Sequence, residues 1–515
     1  MAEPFYITTA ISYPNGRPHI GHAYEAIAAD AIARLRRMQG RDVFFMTGTD
    51  EHGLKMAQTA AKRGITAKEL ADEMSSYFRE MDEALNISFD RFIRTTEPAH
   101  YEASRAIWRA MQANGDIYLG RYEGWYSVRD EAFYGEDELI EGEGGQKLSP
   151  QNTPVEWTVE ESWFFRLSAY ADRLIALYES NPDFIRPESR RNEVMSFVKG
   201  GLADLSISRT SFDWGVPVPD APGHVMYVWV DALTNYLTGA GYPGQGGAGF
   251  GRWPADLHII GKDIVRFHAV YWPAFLMSAG LDLPKQVFGH GFLLNRGEKM
   301  SKSVGNVVDP MELVETYGAD RLRYFLLSDV TFGSDGSFSD WAIIEKANAD
   351  LANSYGNLIQ RVVAFVSRRL NGDAPELLEG SHPLDRELDI AIGKAFAHYD
   401  AAMGNLELSR GAGACMMAVF AMNKYVDDAA PWSLVKTDEA LGKHVLANLL
   451  IKLAQVSLWL KPFIPETAEK ALDILKVPAN FRNDYVAPIQ EWYQENWQTI
   501  NFPAPTPLVA KIELA

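Results

Sequence analysis

The hydrophobic pattern of this chain changes period several times, and each change marks a different kind of element. Residues 5–11 are apolar and β-rich, as in a buried strand. Residues 23–38 carry apolar side chains at helical spacing and stop at Gly40, a suitable C-terminal cap, before a second apolar run at 43–46. Strand, loop, helix and strand in that order close right-handed into a parallel sheet. The first loop then lies at the carboxyl edge of the strands, where open α/β sheets bind ligands. Helical periods follow over 66–85 and 98–114. From 116 to 183 the texture becomes short aromatic, strand-like pieces between acidic turns, with Tyr118, Trp125, Tyr126, Phe133 and the run 160–165. This reads as an insertion between two halves of one sheet.

The second half resumes near Glu188. Residues 224–229 alternate like a strand, 230–233 begin a helix, and 257–260 form a short apolar strand closed by Gly261, with Asp263 as the N-cap of the next helix. Gly244, Gly246 and Gly249 fit G-x-G-x-x-G, but they follow a helix rather than a strand, so they predict a flexible loop and not a dinucleotide site. After 340 the pattern is almost wholly helical: 341–370, 384–403, 408–428, 440–459 and 464–475, split by Gly and Pro, predict a helix bundle. The tail from 501 holds Phe502, Pro503, Pro505 and Pro507 and a short strand-like end. No internal repeat or low-complexity tract is present.

Composition narrows the class. A chain of 515 residues is too long for one core and suggests about three or four domains. With 47% hydrophobic and 23% charged residues it is ordinary for a soluble globular protein, and no apolar run is long enough to span a bilayer. The N-terminus enters a strand directly, without a basic and apolar leader, so the cytosol is the expected compartment. Cys415 is the single cysteine, which excludes an internal disulfide and any Cys-x-x-Cys zinc site. The formal charge of −19 opposes nonspecific RNA binding, while leaving room for a local basic track.

The candidate chemistry gathers at Tyr13-Pro14-Asn15-Gly16-Arg17-Pro18-His19-Ile20-Gly21-His22. His19 and His22 are three apart at a helix start, so both rings share one face beside unpaired backbone N–H groups and the positive end of the helix dipole. That combination suits a polyphosphate. Taken alone the pair is equally compatible with helix-start histidines on a loop. A second phosphate-type element lies far downstream, Lys299-Met300-Ser301-Lys302-Ser303, between Gly297 and Gly305. The turn Thr47-Gly48-Thr49-Asp50-Glu51-His52-Gly53 shares the same predicted sheet edge. Helical spacing puts Ala232, Leu233 and Tyr236 on one face after Trp229, and Ile264 and His268 on another. With Ala10, Ile11 and Tyr13 these could enclose a flexible unbranched side chain or, equally, pack a core. Aromatic rings around sulfur would suit a thioether, at roughly 0.3–1.5 kcal/mol per contact.

At His19-Ile20-Gly21-His22 and Lys299 to Ser303 the chain resembles the class I aminoacyl-tRNA synthetases, whose two hallmark motifs stand here in order and without substitution. Finer features resemble the methionyl members over essentially the whole chain, in the form without zinc-knuckle cysteines or a C-terminal RNA-binding and dimerising domain. The resemblance implies an α/β fold. A Rossmann-type sheet (1–115 and 188–290) would carry a connective-peptide insertion at 116–187. The lysine loop and stem-contact region would occupy 291–339, and a helical anticodon-binding domain 340–515. Many members hold zinc in the insertion through cysteines; without them a metal-free and somewhat more mobile version is expected.

The same resemblance assigns roles. His19, His22, Lys299 and Lys302 would be catalytic. ATP would be held by Tyr13, Pro14, Asn15, Gly16, His19, Gly21, His22, Glu25, Asp263, Lys299, Met300, Ser301, Lys302 and Ser303, with magnesium arriving on ATP. Ala10, Ile11, Tyr13, Asp50, Arg209, Trp229, Ala232, Leu233, Tyr236, Ile264 and His268 would form the methionine site, Asp50 holding the ammonium. Leu233 departs from the proline some members carry there. Asn357, Arg361 and Trp432 would read a CAU anticodon, by stacking and base-edge hydrogen bonds. The implied activity is ligation of methionine to tRNA(Met), initiator and elongator, by a monomer. Shape discriminates one methylene by only ~1–3 kcal/mol, so homocysteine is expected to enter the pocket. The alternative is a class I synthetase for another aliphatic or sulfur amino acid. A small nucleotidyltransferase would need no helix bundle, and intact phosphate motifs disfavour a non-enzymatic RNA binder.

Overall fold

A computed structural model describes residues 2–513 apart from 131, 245–250, 296–297, 300–306 and 379–381. Its centre is a six-stranded parallel sheet of β1 (Pro4–Thr9), β2 (Asp42–Thr49), β3 (Arg91–Arg94), β4 (Ile185–Arg186), β5 (Leu257–Gly261) and β6 (Val287–His290), in the order β3-β2-β1-β5-β6-β4. The register pairs Ile7 with Phe45 on one side and with Leu257 on the other. β1 is therefore the point where the strand order reverses. Gly48 is demanded by the sheet itself: a Cβ there would lie 2.0 Å from the Ile93 carbonyl oxygen.

The helix after β1, α1 (Ile20–Met38), is buried along most of its length because Ala23, Ala26–Ala29 and Ala31–Ala33 let it lie close to its neighbours. On this side of the sheet a single apolar core runs from Ile7 and α1 through the helix Ala319–Ser328 into the bundle at Leu450 and Leu458. The other face is covered by α2 (Val228–Gly239) and the helix Trp272–Ala279, around Tyr236, Trp272 and Phe275.

The insertion is an antiparallel pair, Ile117–Ser127 with Glu156–Phe165, ten residues in register from Ile117–Phe165 to Tyr126–Glu156. Its aromatic character is spent across the strands, with Trp125 edge-on to Trp157 and Tyr118 stacked on Phe164. The chain re-enters the central sheet at β4, ahead of the expected 188, because Ile185 pairs with Val287.

The bundle helices fall within a residue or two of the predicted spans: Asp385–Gly404, Leu408–Ala429, Glu439–Leu460 and Pro465–Ile474. Three expectations fail locally. The alternating run 224–229 gives only a two-residue strand, Val225–Met226, because α2 already begins at Val228. The helical span 341–370 is one rod in three pieces, with a π-helical stretch Ala347–Gly356 between α-helical ends. The described tail forms no strand beyond an isolated bridge between Asp373 and Asn501, as its prolines remove the donors a ladder needs.

One buried charge ties these parts together. The Arg323 guanidinium, fully buried, donates to Asp30 Oδ2 of α1 at 2.6 Å, to the Leu85 carbonyl at 3.1 Å, and to the Pro462 and Phe463 carbonyls of the bundle at 2.9 and 3.3 Å. Asp30 also accepts from Arg34 and from the amide and hydroxyl of Ser88. Burial works against the Asp30 carboxylate, but Arg323, Arg34 and Ser88 prevail and hold its pKa below the usual range. Breaking such a pair from one side strands a charge in the interior, at about 3–5 kcal/mol. Asp30→Ala should therefore lower the first unfolding transition in urea or heat by that order. A variant melting with the parent would refute the clamp.

Candidate active site

The carboxyl ends of β1, β2, β5 and β6 open into a cavity of about 440 Å³. α1 points its N-terminus at one wall. His19 is the N-cap: its Nδ1 accepts from the Gly21 amide at 3.1 Å, while His22 Nδ1 accepts from the His19 amide at 3.0 Å. An imidazole nitrogen that accepts carries no proton, so each ring holds its hydrogen on Nε2 and is a donor there. The rings stack with centroids 3.9 Å apart. Gly21 is required between them, since a Cβ would stand 2.9 Å from the His19 ring.

One turn on, Glu25 links two strand ends. It accepts from the Ala10 amide at 3.1 Å and meets His290 Nε2 at 2.8 Å, at the end of β6. Burial favours a neutral His290 ring, yet the hydrogen bond to Glu25 outweighs it and raises the histidine's pKa. The segment after β1 is laced to its neighbours, Ala10 to Ile259, Ser12 to Gly48 and Asp50 to Ser12. Asp50 thus reaches the cavity from the end of β2.

The opposite wall is aromatic. Trp229 stacks on Phe267 at 3.8 Å and 8°, and Tyr236 donates its hydroxyl to His268 Nε2 at 2.7 Å. That direction follows from the other nitrogen, which bonds the Ile264 carbonyl at 3.0 Å and must carry the proton. Burial lowers the His268 pKa to about 4, and His258, beneath the Tyr236 ring, is also held neutral by burial. The pocket floor is polar and uncharged. Behind α2, Asp231 accepts from His52 and His100 at 2.6 Å each; burial opposes its charge, but the two imidazoles depress its pKa to about 2.

Most of the residues singled out in the sequence meet here. Ala10, Ile11, Tyr13, His19, Gly21, His22, Glu25, Asp50, Trp229, Ala232, Leu233, Tyr236, Asp263, Ile264 and His268 all line the cavity. Pro14, Asn15 and Gly16 form the adjoining loop outside the lining. Arg209 is not brought in: it is buried, donates to Ser206 and the Ser208 carbonyl, and lies over the Tyr227 ring. Asp263 is not an N-cap, because the short turn Lys262–Ile264 is entered from Gly261. Lys299 lies, by its backbone, in a hairpin opposite Leu294, directly after the cavity-lining segment 290–293. Met300, Ser301, Lys302 and Ser303 lie outside the described residues. In the bundle, Asn357 is exposed at a helix start, and Arg361 lies 5.6 Å over the Trp432 ring and pairs with Asp427.

Sequence reasoning missed His290, Phe267 and three groups of the insertion, Arg129, Asp130 and Gln151. The Glu25–His290 pair spans 265 positions and leaves no local trace. The insertion residues belong to two turns knotted by hydroxyls. Asp130 Oδ2 accepts from Ser149 at 2.5 Å, Thr153 at 2.6 Å and Tyr134 at 3.1 Å, and Ser127 bonds Thr153 at 2.6 Å. One carboxylate and hydroxyls already satisfied by one another do not fit zinc, which takes thiolate and imidazole ligands. No group of three His, Cys, Asp or Glu among the described residues could hold a metal.

A family model described as tRNA synthetases class I (M) matches residues 5–363, and one described as the anticodon binding domain of methionyl tRNA ligase matches 379–514. The methionine–tRNA ligase of Brucella suis is 58% identical over 483 residues, 93% of each chain, and that of Mycobacterium tuberculosis 55% identical over 489 residues, again 93% of each. Among solved structures, the M. tuberculosis methionyl-tRNA synthetase in complex with methionyl-adenylate superposes with a TM-score of 0.93 at 52% identity, over 98% of this chain and 99% of that one. The apo form of the same enzyme gives 0.88 at 48% identity, over 100% and 99%.

His268 stays neutral in the folded protein down to about pH 4, whereas an unfolded histidine protonates near pH 6.5. The unfolded chain therefore binds more protons within that window, and stability falls as pH is lowered through it. In His268→Gln the unfolding midpoint should depend less steeply on pH between about 6.5 and 4 than in the parent, which equilibrium denaturation at a series of pH values would measure. Parallel curves would contradict the assignment.

Proposed function

The chain belongs to the class I tRNA synthetases, in the branch of the methionine–tRNA ligases, and we propose from that premise how its own residues carry out the reaction. The observation that carries the reading is the junction, in one cavity, of a helix N-terminus bearing two donor imidazoles with a neutral aromatic pocket.

Methionine enters beneath Trp229, with its thioether against Tyr236 and His268 and its ammonium on Asp50. A neutral floor suits an uncharged sulfur, which an imidazolium would not. MgATP lies along α1, its phosphates toward the helix N-terminus and the Nε2–H groups of His19 and His22, its nucleoside toward Glu25 and Asp263. Tyr13, Gly21 and the loop Pro14, Asn15 and Gly16 shape this end. One methionine carboxylate oxygen attacks the α-phosphorus in line, the bond to the β-phosphate bridging oxygen breaks, and pyrophosphate departs. No protein nucleophile is needed; position and charge stabilisation do the chemistry. Each ~1.4 kcal/mol of stabilisation specific to the transition state is worth tenfold in rate. Lys299 and Lys302, with Met300, Ser301 and Ser303, would close over the leaving pyrophosphate. Arg209 supports the pocket from behind, through the backbone at Ser208 and the Tyr227 ring. A terminal hydroxyl of tRNA(Met) then attacks the adenylate carbonyl and AMP leaves.

The RNA is selected at a distance, by Asn357, Arg361 and Trp432 on the bundle, for a CAU anticodon. The functional division is into two halves of a catalytic sheet, the second beginning at β4 rather than at 188, an insertion, a lysine loop with its stem contact, and an anticodon domain. No helix among the described residues is long and apolar enough to cross a membrane. The reaction places the protein in the cytosol with its tRNA, acting as a monomer.

ATP–pyrophosphate exchange assayed against all twenty amino acids should respond to methionine, weakly to homocysteine, and not to leucine or isoleucine at comparable concentration. A stronger response to another amino acid would overturn the specificity. Trp432→Ala should leave methionine-dependent exchange intact and reduce tRNA charging by about ten- to a hundredfold, consistent with about 1–3 kcal/mol per stacked base. Equal loss of both activities would remove Trp432 from RNA reading.

A further inference from the structure

Between α1, the helix Ala67–Ala84 and the ends of β1 and β2 lies a second, much smaller chamber of about 10 Å³. It adjoins the main cavity, since Ser12, His22 and Glu25 line both. Its far wall carries Asp82, which is 2% exposed. The Asp82 carboxyl makes no ion pair among the described residues, and its Oδ1 is fully buried without a hydrogen-bond partner there. An acid in that condition, bordering the active site, is used nowhere in the activation chemistry.

The balance of charge around it decides its form. Along α1, Asp30 is held by Arg323 and Arg34, and Glu25 is held by His290. Asp82 has no such partner, and the strands bring only uncharged residues to the chamber, among them Thr9, Thr47 and Gly48. The ring of His22, the other titratable group on the wall, is turned edge-on to Phe78 with centroids 5.0 Å apart. Burial, then the charges of Asp30, Glu83 and Glu25, push the Asp82 pKa well up, so the group keeps its proton at neutral pH. Neighbouring carboxyls in a dry site divide in this way, one ionised and one neutral. A protonated carboxyl is a hydrogen-bond donor.

The acceptor it can serve is Glu25. Thr9 and Thr47 bond each other at 2.8 Å. Glu25 takes the Ala10 amide on Oε1 and meets His290 on Oε2, one bond to each oxygen, and a carboxylate oxygen has room for two. The chamber has about the volume of one water, and a buried water needs two to four polar partners, which Asp82, Glu25 and Ser12 supply. We propose that the Asp82 carboxyl, as a hydrogen-bond donor, holds one water in this chamber, that the water donates in turn to Glu25, and that Glu25 is thereby fixed for the nucleoside of ATP. No proton is transferred. Asp82 is a positioning residue, acting through Glu25 and touching no substrate itself. This rests on the ligase reading above.

The protonation is tested first, by a measurement that does not depend on the ligase reading. In infrared spectra at neutral pH, the carbonyl band of a protonated carboxyl should be present in the parent and missing from Asp82→Asn; identical spectra overturn the proposal. The wild-type chain is then assayed for methionine-dependent exchange, and failure there sinks the ligase reading itself. Given activity, Asp82→Asn, which keeps a donor, should exchange at close to the parental rate. Asp82→Leu, which removes the donor and fills the chamber, should raise the KM for ATP about five- to tenfold, as loss of one hydrogen-bonded contact would, and leave the KM for methionine unchanged. On the alkaline side the parent's KM for ATP should climb as Asp82 ionises against Glu25, and Asp82→Asn should lack that climb, a difference that packing alone would not produce. The proposal fails if Asp82→Asn loses as much as Asp82→Leu, if Asp82→Leu changes both KM values alike or neither, or if the alkaline profiles coincide. Should Asp82→Leu not fold, the infrared band and the alkaline profile of Asp82→Asn decide the matter.

Discussion

The geometry of the site depends on one constraint of topology: the strand order reverses at β1. Helical connections on the two sides of that strand depart to opposite faces, so the carboxyl ends of β1 and β5 are left uncovered between them. The cavity-lining residues proposed to act in the reaction arrive at this gap by separate routes. α1 brings donors by its N-terminus, β2 brings Asp50, α2 brings Trp229 and Tyr236, and the turn after β5 brings Asp263 and His268. The sheet register decides that they converge. Glu25 guards that register from within the cavity, because it bonds the end of β1 and the end of β6 at once.

Convergence of this kind places ionisable groups in a dry interior, and the fold handles them in two ways. In the pocket floor it removes the charge. His258 and His268 are desolvated and unpaired with any acid, so both are neutral and serve only as hydrogen-bond relays to Tyr236 and Thr8. Behind α2 and under α1 it keeps the charge and saturates it. Asp231 holds two imidazoles and Asp30 holds two guanidinium groups and a serine. The two solutions are separated in place. The neutral relays lie at and behind the cavity wall, and the saturated ions lie between packed helices.

How much of this was legible follows the range of the interactions. The His19-x-x-His22 cap is complete within four residues, and the sequence predicted its helix and the shared face of its rings; the backbone N–H groups expected to be unpaired there are instead taken by the two rings and by the His19 and Val308 carbonyls. Long amphipathic periods gave the bundle to within a residue or two. The run 224–229 misled because its alternation comes from two different environments, a short strand and the first turn of α2. Asp263 has the chemistry of a cap, but it lies inside the short turn Lys262–Ile264, whose capping position is Gly261. His290, Arg129 and Gln151 were out of reach for another reason. Their places are set by partners more than a hundred positions away, or by hydroxyls of Ser and Thr, which carry no pattern of their own.

The acidic balance of the chain bears on the RNA contacts proposed above. At physiological ionic strength charges more than about 8 Å apart are largely screened, so a net charge of −19 spread over a large surface repels RNA only weakly at any one point. A local basic contact can coexist with that balance. Arg361, proposed above to meet the anticodon, has only weak restraints of its own. Its pair with Asp427 is at the surface, with side chains 35% and 66% exposed, and an exposed pair is worth only about 0–1 kcal/mol. The guanidinium is therefore oriented over Trp432 before RNA arrives, and exchanging the carboxylate for a base edge costs little. Weak contacts at separate places gain from being joined on one rigid partner, since the second forms at high effective concentration once the first is made. The Arg323 clamp, which fixes the bundle to α1, is what makes the two places rigid with respect to each other. On the proposed reading, an RNA with the wrong anticodon would lose the first contact and with it the advantage at the second.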